Sequence, residues 1–377
     1  MDLTSFWDPD FDLDGLPPFP ELPARRQIIW LASYPKSGNT WMRLFLTAYL
    51  SGKSETDIND DLMGNHQCNN PLFSQIIAKK PLSKFTDLDA ARVRVAVQRL
   101  YARNPERIVV KTHSAIAMPY GHPSIDPAST FASLLILRNP LAVLPSFARH
   151  MNLDLDEAVD SMNSGRMSLG GEGSQSPTTV LSSWSSFTRS WLASAQQLNV
   201  LSLRYEDMKD KPEETFARAL AHILVPVDQQ RLKSAVGATD FDKLKAQDLA
   251  KGFKERTRAD KGNVFFRSGK TEGWRQELTE AQIIATITNH WDVMEQLDYI
   301  PEDLRPEFED IKFKALEAMV DKGVNIGVYA EDLNRLRAKR GIHSRLAVKA
   351  SKTQIGPKQK KRRLKNTTRP TAKKTFG

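Results

Sequence analysis

Lys36, Ser37 and Gly38 lie in a short polar turn that directly follows an apolar run, Ile28 to Leu31. The apolar run predicts a buried strand, and the apolar residues spaced through the segment after Thr40 predict a helix. A turn between a strand and a helix N-terminus presents free backbone N–H groups, and the helix dipole favours an anion there. Because Lys36 adds a mobile cation, this turn is suited to binding a phosphate group.

Lys111 and His113 lie at the end of a second apolar segment, which starts at Ile108. This segment predicts a strand, and parallel sheets bind ligands at the carboxyl ends of their strands. Histidine is the natural general base near neutral pH, where it contributes typically ~10²–10⁴-fold to a rate. A lone histidine is more often structural, but the position of His113 at this edge favours a catalytic role.

Arg138 follows a third apolar run, Ser133 to Leu137, and Ser146 lies in the helix predicted after it. A guanidinium group offers a planar fork that matches phosphate oxygens. Ser146 could add a hydroxyl group if this helix, which contains Pro145, bends its face toward the same edge. The alternative is an arginine at the sheet edge beside an ordinary helix serine.

The residue order in the first turn argues against the common nucleoside-triphosphate loop, G-x-x-x-x-G-K-[ST], because Lys36 precedes Gly38. The run Tyr34-Pro35-Lys36-Ser37-Gly38-Asn39-Thr40-Trp41 instead resembles the 5′-phosphosulfate loop of the sulfotransferase family. That family uses 3′-phosphoadenosine 5′-phosphosulfate (PAPS) as its donor. The resemblance is to the cytosolic type, and a bacterial member is expected. Asn39 stands where the family usually has Thr.

Other segments are similar to motifs of the same family. Lys111-Thr112-His113 looks like its Lys-Thr-His, whose histidine deprotonates the acceptor hydroxyl, so the resemblance makes His113 the base. It also gives catalytic roles to Lys36, beside the leaving oxygen, and to Lys111 as an assistant. The donor-binding residues that the resemblance implies are Lys36, Ser37, Gly38, Asn39, Thr40, Trp41, Arg138, Ser146, Tyr205, Thr239, Phe241, Arg267, Ser268 and Gly269.

The resemblance assigns these residues to three parts of the donor. The loop around Lys36 binds the 5′ end. Arg138, Ser146 and the segment from Arg267 to Gly269 bind the 3′-phosphate, with Ser268 in place of the family's Lys. Tyr205, Thr239 and Phe241 lie against the adenine, the last two in a triplet similar to the family's Thr-Ser-Phe.

Strand and helix patterns alternate along the chain, which predicts an α/β fold: a single domain with a central parallel β-sheet flanked by helices and a P-loop-like phosphosulfate-binding loop. Loops are predicted over 163–178, which is rich in Gly and Ser, and over 246–273. Strands are predicted near 28–32, 108–111, 133–137 and 200–204. Helices are predicted near 40–50, 89–103, 141–150, 180–197, 212–223, 228–236, 279–295, 301–319 and 330–340.

The charge of the chain is unevenly distributed. The formal net charge is +9, yet the stretch from Arg335 to Gly377 holds sixteen Lys or Arg and no Asp or Glu. The rest of the chain is therefore mildly acidic. Four regions are predicted: a Pro/Asp-rich N-terminal extension over 1–24, the sulfotransferase domain over 25–300, C-terminal helices over 301–340, and a basic, disordered tail over 341–377.

Composition limits the classes of protein that the chain can belong to. Hydrophobic content of 40% and charged content of 26% are ordinary for a globular protein. No apolar run approaches the ~20 residues of a membrane span, so the protein is not expected to be integral to a membrane. No secretory signal is expected either. Cys68 is the single cysteine, which fits a reducing compartment and predicts a cytoplasmic location.

The resemblance predicts a PAPS-dependent sulfotransferase that moves the sulfuryl group to a hydroxyl or amine and releases adenosine 3′,5′-bisphosphate, with no metal. The acceptor is expected to be a small molecule, a lipid or a glycan, and the oligomeric state stays open. Two alternatives compete: a P-loop nucleotide kinase, and a nucleic-acid-binding protein that uses basic residues such as Lys358 to Arg363. The basic tail is also expected to contact anionic surfaces.

Overall fold

The computed structural model describes residues 25–342, apart from 54, 60–65, 172, 256–263 and 268. Within these residues, five parallel strands form a sheet in the order β2-β3-β1-β4-β7, and two short strands form a separate antiparallel pair. The strands are β1 (Ile28–Ser33), β2 (His66–Gln67), β3 (Ile108–Thr112), β4 (Thr130–Leu137), β5 (Ser168–Leu169), β6 (Thr179–Val180) and β7 (Val200–Arg204).

Helices flank this sheet and connect its strands. They are α1 (Asn39–Ser51), α2 (Pro71–Ala78), α3 (Asp87–Tyr101), α4 (Pro140–Met151), α5 (Leu155–Asn163), α6 (Trp184–Ala193), α7 (Tyr205–Asp210), α8 (Pro212–His222), α9 (Gln229–Ala238), α10 (Phe241–Lys251), α11 (Glu280–Gln296), α12 (Arg305–Asp321) and α13 (Ala330–Lys339). The predicted α/β fold with a central parallel sheet is confirmed.

The central strand β1 explains where the site forms. All six of its residues are buried, as expected of a parallel strand that is covered on both faces. Leu31 pairs with Lys111 of β3, and Ser33 pairs with Ile136 of β4. The carboxyl ends of three neighbouring strands therefore lie side by side, and the loops after them converge on one edge of the sheet.

The core on one face of the sheet is strongly aromatic. Phe45 of α1 stacks on Phe216 of α8 with ring centroids 4.0 Å apart, and Trp41 meets Phe216 edge to face at 5.8 Å. These rings are buried together with Met42, Leu44 and other apolar side chains of α1. Such close packing fixes the start of α1, which is the part of the helix that faces the converging loops.

Three sequence predictions of local structure were wrong. Residues 163–178, predicted as a loop, contain β5, because Gly170 and Gly171 adopt positive φ and let the chain fold back toward β6. Residues 246–251, also predicted as a loop, continue α10 until Gly252 ends it. The helix predicted near 180–197 is shorter, since the side chain of Ser183 caps it by accepting a hydrogen bond from Ser186 N.

The chain divides into two compact units, residues 1–308 and 309–377. The first unit contains the whole sheet and every residue of the site described below. In the described part of the second unit, ion pairs link α12 to α13: Lys312 with Asp332 at 2.6 Å and Arg337 with Glu317 at 2.5 Å. Across the described residues, every helix is too short or too polar to cross a membrane.

Candidate functional site

A cleft opens at the edge where the ends of β1, β3 and β4 lie side by side. Thirteen of the residues predicted from the sequence line it: Lys36, Gly38, Asn39, Thr40, Trp41, Lys111, His113, Arg138, Ser146, Tyr205, Phe241, Arg267 and Gly269. Ser37 and Thr239 are not on its wall, since both side chains are buried behind it. Ser268 lies outside the described residues.

The turn between β1 and α1 depends on its glycine. Gly38 adopts φ +109°, and an added Cβ would lie 2.7 Å from Cδ2 of the Tyr205 ring. Lys36 also adopts a left-handed conformation, with φ 67°. Two left-handed residues so close together bend the chain sharply, and the backbone then enters α1 with its first N–H groups at the cleft. This is the local geometry of an anion-binding turn.

Asn39 ties the start of α1 to the sheet. Its side-chain amide donates to the carbonyl oxygen of Leu31 at 3.0 Å and to the hydroxyl of Ser33 at 3.2 Å. Its Oδ1 atom is buried and has no hydrogen-bond partner among the described residues. At this position, where a Thr was expected from the resemblance, the longer amide therefore spans from helix to strand.

His113 is held in one tautomer. Its Nδ1 lies 2.7 Å from the carbonyl oxygen of Ser33, the last residue of β1. A carbonyl oxygen only accepts hydrogen bonds, so Nδ1 carries the proton and Nε2 keeps its lone pair. The ring lies on the wall of the cleft. His113 can therefore accept a proton at Nε2 without any rearrangement.

The electrostatics of the cleft disfavour positive charge on two of its residues. Burial lowers the pKa of His113 to about 3, and the nearby charge of Lys111 acts in the same direction. Burial also lowers the pKa of Lys111 to about 8, with a further contribution from Arg43. The carboxylate of Glu255 opposes that shift. His113 is therefore neutral at physiological pH, while Lys111 titrates close to it.

Arg43 and Glu255 form a pair that the sequence analysis missed. Arg43 is 1% exposed, and its guanidinium donates to both carboxylate oxygens of Glu255 at 2.7 and 2.6 Å. Glu255 itself lines the cleft. The sequence held one signal: Arg43 is the only charged residue of helix α1. Its partner, however, lies 212 positions away and could not be identified from spacing.

Arg138 joins two loops across the cleft. It donates through one terminal nitrogen to the carbonyl oxygen of Lys36 at 3.0 Å and through the other to that of Lys270 at 3.2 Å. Its guanidinium carbon lies 4.1 Å from the centroid of the Tyr205 ring, a cation–π distance. The third nitrogen, Nε, is buried and has no partner among the described residues.

Aromatic rings form a further wall of the cleft. The Tyr205 hydroxyl donates to the carbonyl oxygen of Gly269 at 3.3 Å, and the ring packs edge to face on Trp41 at 5.8 Å. Trp41 in turn donates from its indole nitrogen to the carbonyl oxygen of Thr239 at 2.9 Å. Gly269 adopts φ +56°, and an added Cβ would lie 2.7 Å from the Phe241 ring. This wall could receive a flat heterocycle by stacking.

Phe265 also lines the cleft, and its ring contacts Lys36. Nζ of Lys36 lies 3.8 Å from the centroid of the Phe265 ring. The aromatic face thus helps to place the cation at the cleft.

Arg149 and Glu277 are two more residues of the cleft that the sequence analysis missed. Arg149 donates to Oε2 of Glu277 at 2.7 Å, and Arg267 donates to Oε1 of the same carboxylate. The available signal was the position of Arg149, one helical turn after Ser146 in α4.

Among the described residues, no group of three or more His, Cys, Asp or Glu side chains is placed to hold a metal ion.

The sequence of this chain is similar to those of known sulfotransferases. Residues 26–299 match the family model described as the sulfotransferase domain. Among curated proteins, the chain is 23% identical over 273 residues to sulfotransferase 6B1 of Danio rerio, covering 70% of this chain and 76% of that protein. It is 24% identical over 275 residues to flavonol 3-sulfotransferase of Flaveria bidentis, covering 68% and 78%.

Solved structures give weaker similarity. A mouse sulfotransferase, SULT7A1, complexed with PAP matches with a TM-score of 0.47 and 19% identity over 77% of this chain and 90% of that one. Retinol dehydratase in a complex with retinol and PAP matches with a TM-score of 0.49 and 16% identity over 72% and 82%.

Proposed function

This chain belongs to the sulfotransferase family, and from that premise we propose that the cleft binds PAPS and that His113 is the base of the transfer. Family membership makes the chain an enzyme that transfers a sulfuryl group from PAPS and releases adenosine 3′,5′-bisphosphate. The same membership favours sulfotransfer over the nucleotide-kinase alternative. What remains to be assigned is the role of each residue.

The 5′ end of the donor lies at the turn before α1. Backbone N–H groups of Gly38, Asn39 and Thr40 face its phosphate, together with the ammonium group of Lys36. The positive φ of Gly38 supports this placement, because it brings the backbone close to the ligand without a Cβ. Ser37, whose hydroxyl is buried without a partner among the described residues, supports the turn from behind.

The 3′ end of the donor lies across the cleft, at Arg138, Ser146, Arg267 and Gly269. The family resemblance also assigns Ser268 to this group. Arg138 is well placed for the role because its guanidinium already joins the two loops that border the donor.

The adenine lies against the aromatic wall of the cleft. The proposed contacts are Trp41, Tyr205 and Phe241. Thr239 acts through Trp41: its hydroxyl donates within α9 to Ala235 at 2.8 Å, and its carbonyl oxygen orients the indole.

Transfer then needs one proton acceptor and charge stabilisation. His113 Nε2 takes the proton of the acceptor group, whose oxygen or nitrogen forms a bond to sulfur while the bond from sulfur to the 5′-phosphate oxygen breaks. Lys36 and Lys111 stabilise the negative charge that grows on the leaving oxygen. The observation that carries this proposal is the contact of His113 Nδ1 with Ser33, which leaves Nε2 unprotonated.

The acceptor is a small molecule, a lipid or a glycan with a hydroxyl or amine group. Support comes from the named relatives: one acts on a flavonol, by its name, and retinol dehydratase was solved with retinol.

A cytoplasmic location is part of the proposal, because Cys68 is the single cysteine of the chain and is buried as a free thiol. The basic tail, which lies outside the described residues from position 343 onward, contacts anionic surfaces.

The His113→Ala variant tests the assignment of the base. We expect it to bind adenosine 3′,5′-bisphosphate as the wild type does and to lose roughly 10²–10⁴-fold in turnover. Binding is measured by calorimetry, and turnover by incubating labelled PAPS with a metabolite extract and counting label in the products. His122→Ala, a histidine outside the cleft lining, is the control. Near-normal turnover in His113→Ala would remove His113 from the mechanism.

A further inference from the structure

Glu277 occupies an unusual position for a carboxylate. It lies in the lining of a cleft whose other charged side chains are mostly cationic. Each of its two oxygens accepts a hydrogen bond from a different arginine, Arg149 at 2.7 Å and Arg267. A negative group held between two guanidinium groups is the arrangement that those arginines would give to a phosphate.

The position of this group in the fold ties it to one part of the donor. Arg149 lies three residues after Ser146 in α4, so both side chains emerge on the same face of that helix. Arg267 lies two residues before Gly269. Ser146, Arg267 and Gly269 are the residues placed at the 3′ end of the donor under the proposed function. Arg149 and Glu277 therefore border the place that the 3′-phosphate would take.

The three side chains are accessible enough to exchange partners. Arg149 is 33% exposed, Glu277 26% and Arg267 48%. Ion pairs at such positions are held weakly, because water competes with them. A phosphate monoester carries more charge than a carboxylate and has three terminal oxygens, so it competes well for the same guanidinium groups.

We propose that Arg149 is a further ligand of the donor's 3′-phosphate, and that Glu277 is an internal counter-ion which this phosphate displaces. The inference rests on the proposed function, because it assumes that PAPS binds in this cleft. In the donor-free enzyme Glu277 keeps two cations together and correctly placed. When the donor binds, both arginines turn from the carboxylate to the phosphate.

The test compares two nucleotides that differ only in the 3′-phosphate: adenosine 3′,5′-bisphosphate and adenosine 5′-monophosphate. Calorimetry measures both on the full chain as wild type, Arg149→Gln and Glu277→Gln. We expect Arg149→Gln to weaken binding of the bisphosphate by roughly tenfold and to leave the monophosphate nearly unchanged. We expect Glu277→Gln to strengthen the binding of the bisphosphate and to change the binding of the monophosphate less.

Arg189→Gln is the matched control, since Arg189 forms a comparable ion pair with Asp292 at 3.2 Å and does not line the cleft. The inference would be overturned if Arg149→Gln weakened the binding of both nucleotides equally. It would also be overturned if Glu277→Gln weakened the binding of the bisphosphate, because Glu277 would then be a support for Arg267. If the wild type binds neither nucleotide, the proposed function itself fails. If the wild type prefers the bisphosphate and Arg149→Gln keeps that preference, only this inference fails.

Discussion

His113 and Lys111 lie two residues apart, and burial changes both pKa values in the direction that removes charge. For His113 the consequence is simple: with a pKa lowered to about 3, the imidazole is neutral over the whole physiological range. For Lys111 the lowered pKa of about 8 brings loss of the proton close to working conditions. The protonation state of His113 is thus constant across this range, whereas the charge of Lys111 depends on pH.

This difference predicts the pH profile of kcat/KM, which reports the free enzyme. Lys111 loses its positive charge as pH rises through about 8, so we expect kcat/KM to fall above that pH. His113 should give no acid limb near its ordinary pKa, because its own pKa is far lower. Initial rates of label transfer at low PAPS concentration, measured across this range, check both expectations.

Two variants identify the group behind the alkaline limb. Glu255→Gln removes the charge that raises the pKa of Lys111, so the limb should shift to lower pH. Lys111→Arg keeps a permanent charge, so the limb should disappear. An alkaline limb that persists unchanged in Lys111→Arg would show that another group titrates there.

At the residue scale, the sequence identified those site residues whose position directly after a predicted strand already indicates ligand binding. Lys36, His113 and Arg138 each follow an apolar strand, and the carboxyl ends of parallel strands are a known place for ligands. Glu255 and Glu277 were missed because each owes its role to a distant partner. Glu255 lies 212 positions from Arg43, and Glu277 lies 128 positions from Arg149, and neither pairing can be read from local patterns. The second partner of Glu277, Arg267, is 10 positions away.

The element that shapes the donor site is helix α1, with a left-handed glycine at each end. Gly38 caps its start with φ +109° and Gly52 caps its end with φ +68°. The two positions differ in their surroundings: an added Cβ at Gly38 would lie 2.7 Å from the Tyr205 ring, and one at Gly52 would meet nothing within 4 Å. The pair therefore separates backbone strain from crowding.

We expect Gly52→Ala to lower the free energy of unfolding by roughly 1 kcal/mol through backbone strain alone. Gly38→Ala should cost about 1–3 kcal/mol more, because Tyr205 must move. It should also weaken binding of adenosine 3′,5′-bisphosphate roughly tenfold, which Gly52→Ala should not do. Urea unfolding and calorimetry measure the two effects. Equal losses in both variants would mean that contact with Tyr205 is unimportant.

At the element scale, the sequence predicted best where burial dictates the pattern. The strand from Val200 to Arg204 was predicted at its observed bounds, and β1 and β3 within one residue. Helix α5 was missed although Asp154 and Glu157 form a capping box before it. Helix α10 was not predicted, and its second half was assigned to a loop, because its many charged residues look like a loop when in fact they cover the exposed side of a helix.

The whole chain combines a mildly acidic body with basic residues gathered at its C-terminus. Every residue of the candidate site lies in the first compact unit, within residues 1–308. The donor-binding and catalytic residues are therefore distant in sequence from the cationic stretch. Charge at the C-terminus and chemistry in the cleft should be separable functions.

Removal of residues 343–377 tests that separation. We expect the truncated enzyme to keep the kcat/KM of the full chain on a water-soluble acceptor, and to lose salt-sensitive binding to vesicles that contain anionic lipid. Kinetic assays and vesicle sedimentation measure the two properties. A large fall in kcat/KM after truncation would contradict the separation, and unchanged sedimentation would contradict the role of the tail.

Arg138 reaches across the cleft and donates hydrogen bonds to the main-chain oxygens of Lys36 and Lys270, not to their side chains. Substitutions at position 270 can therefore alter the surface there without breaking this link, whereas position 138 tolerates little change. Engineered variants of this enzyme should therefore replace Lys270 and retain Arg138.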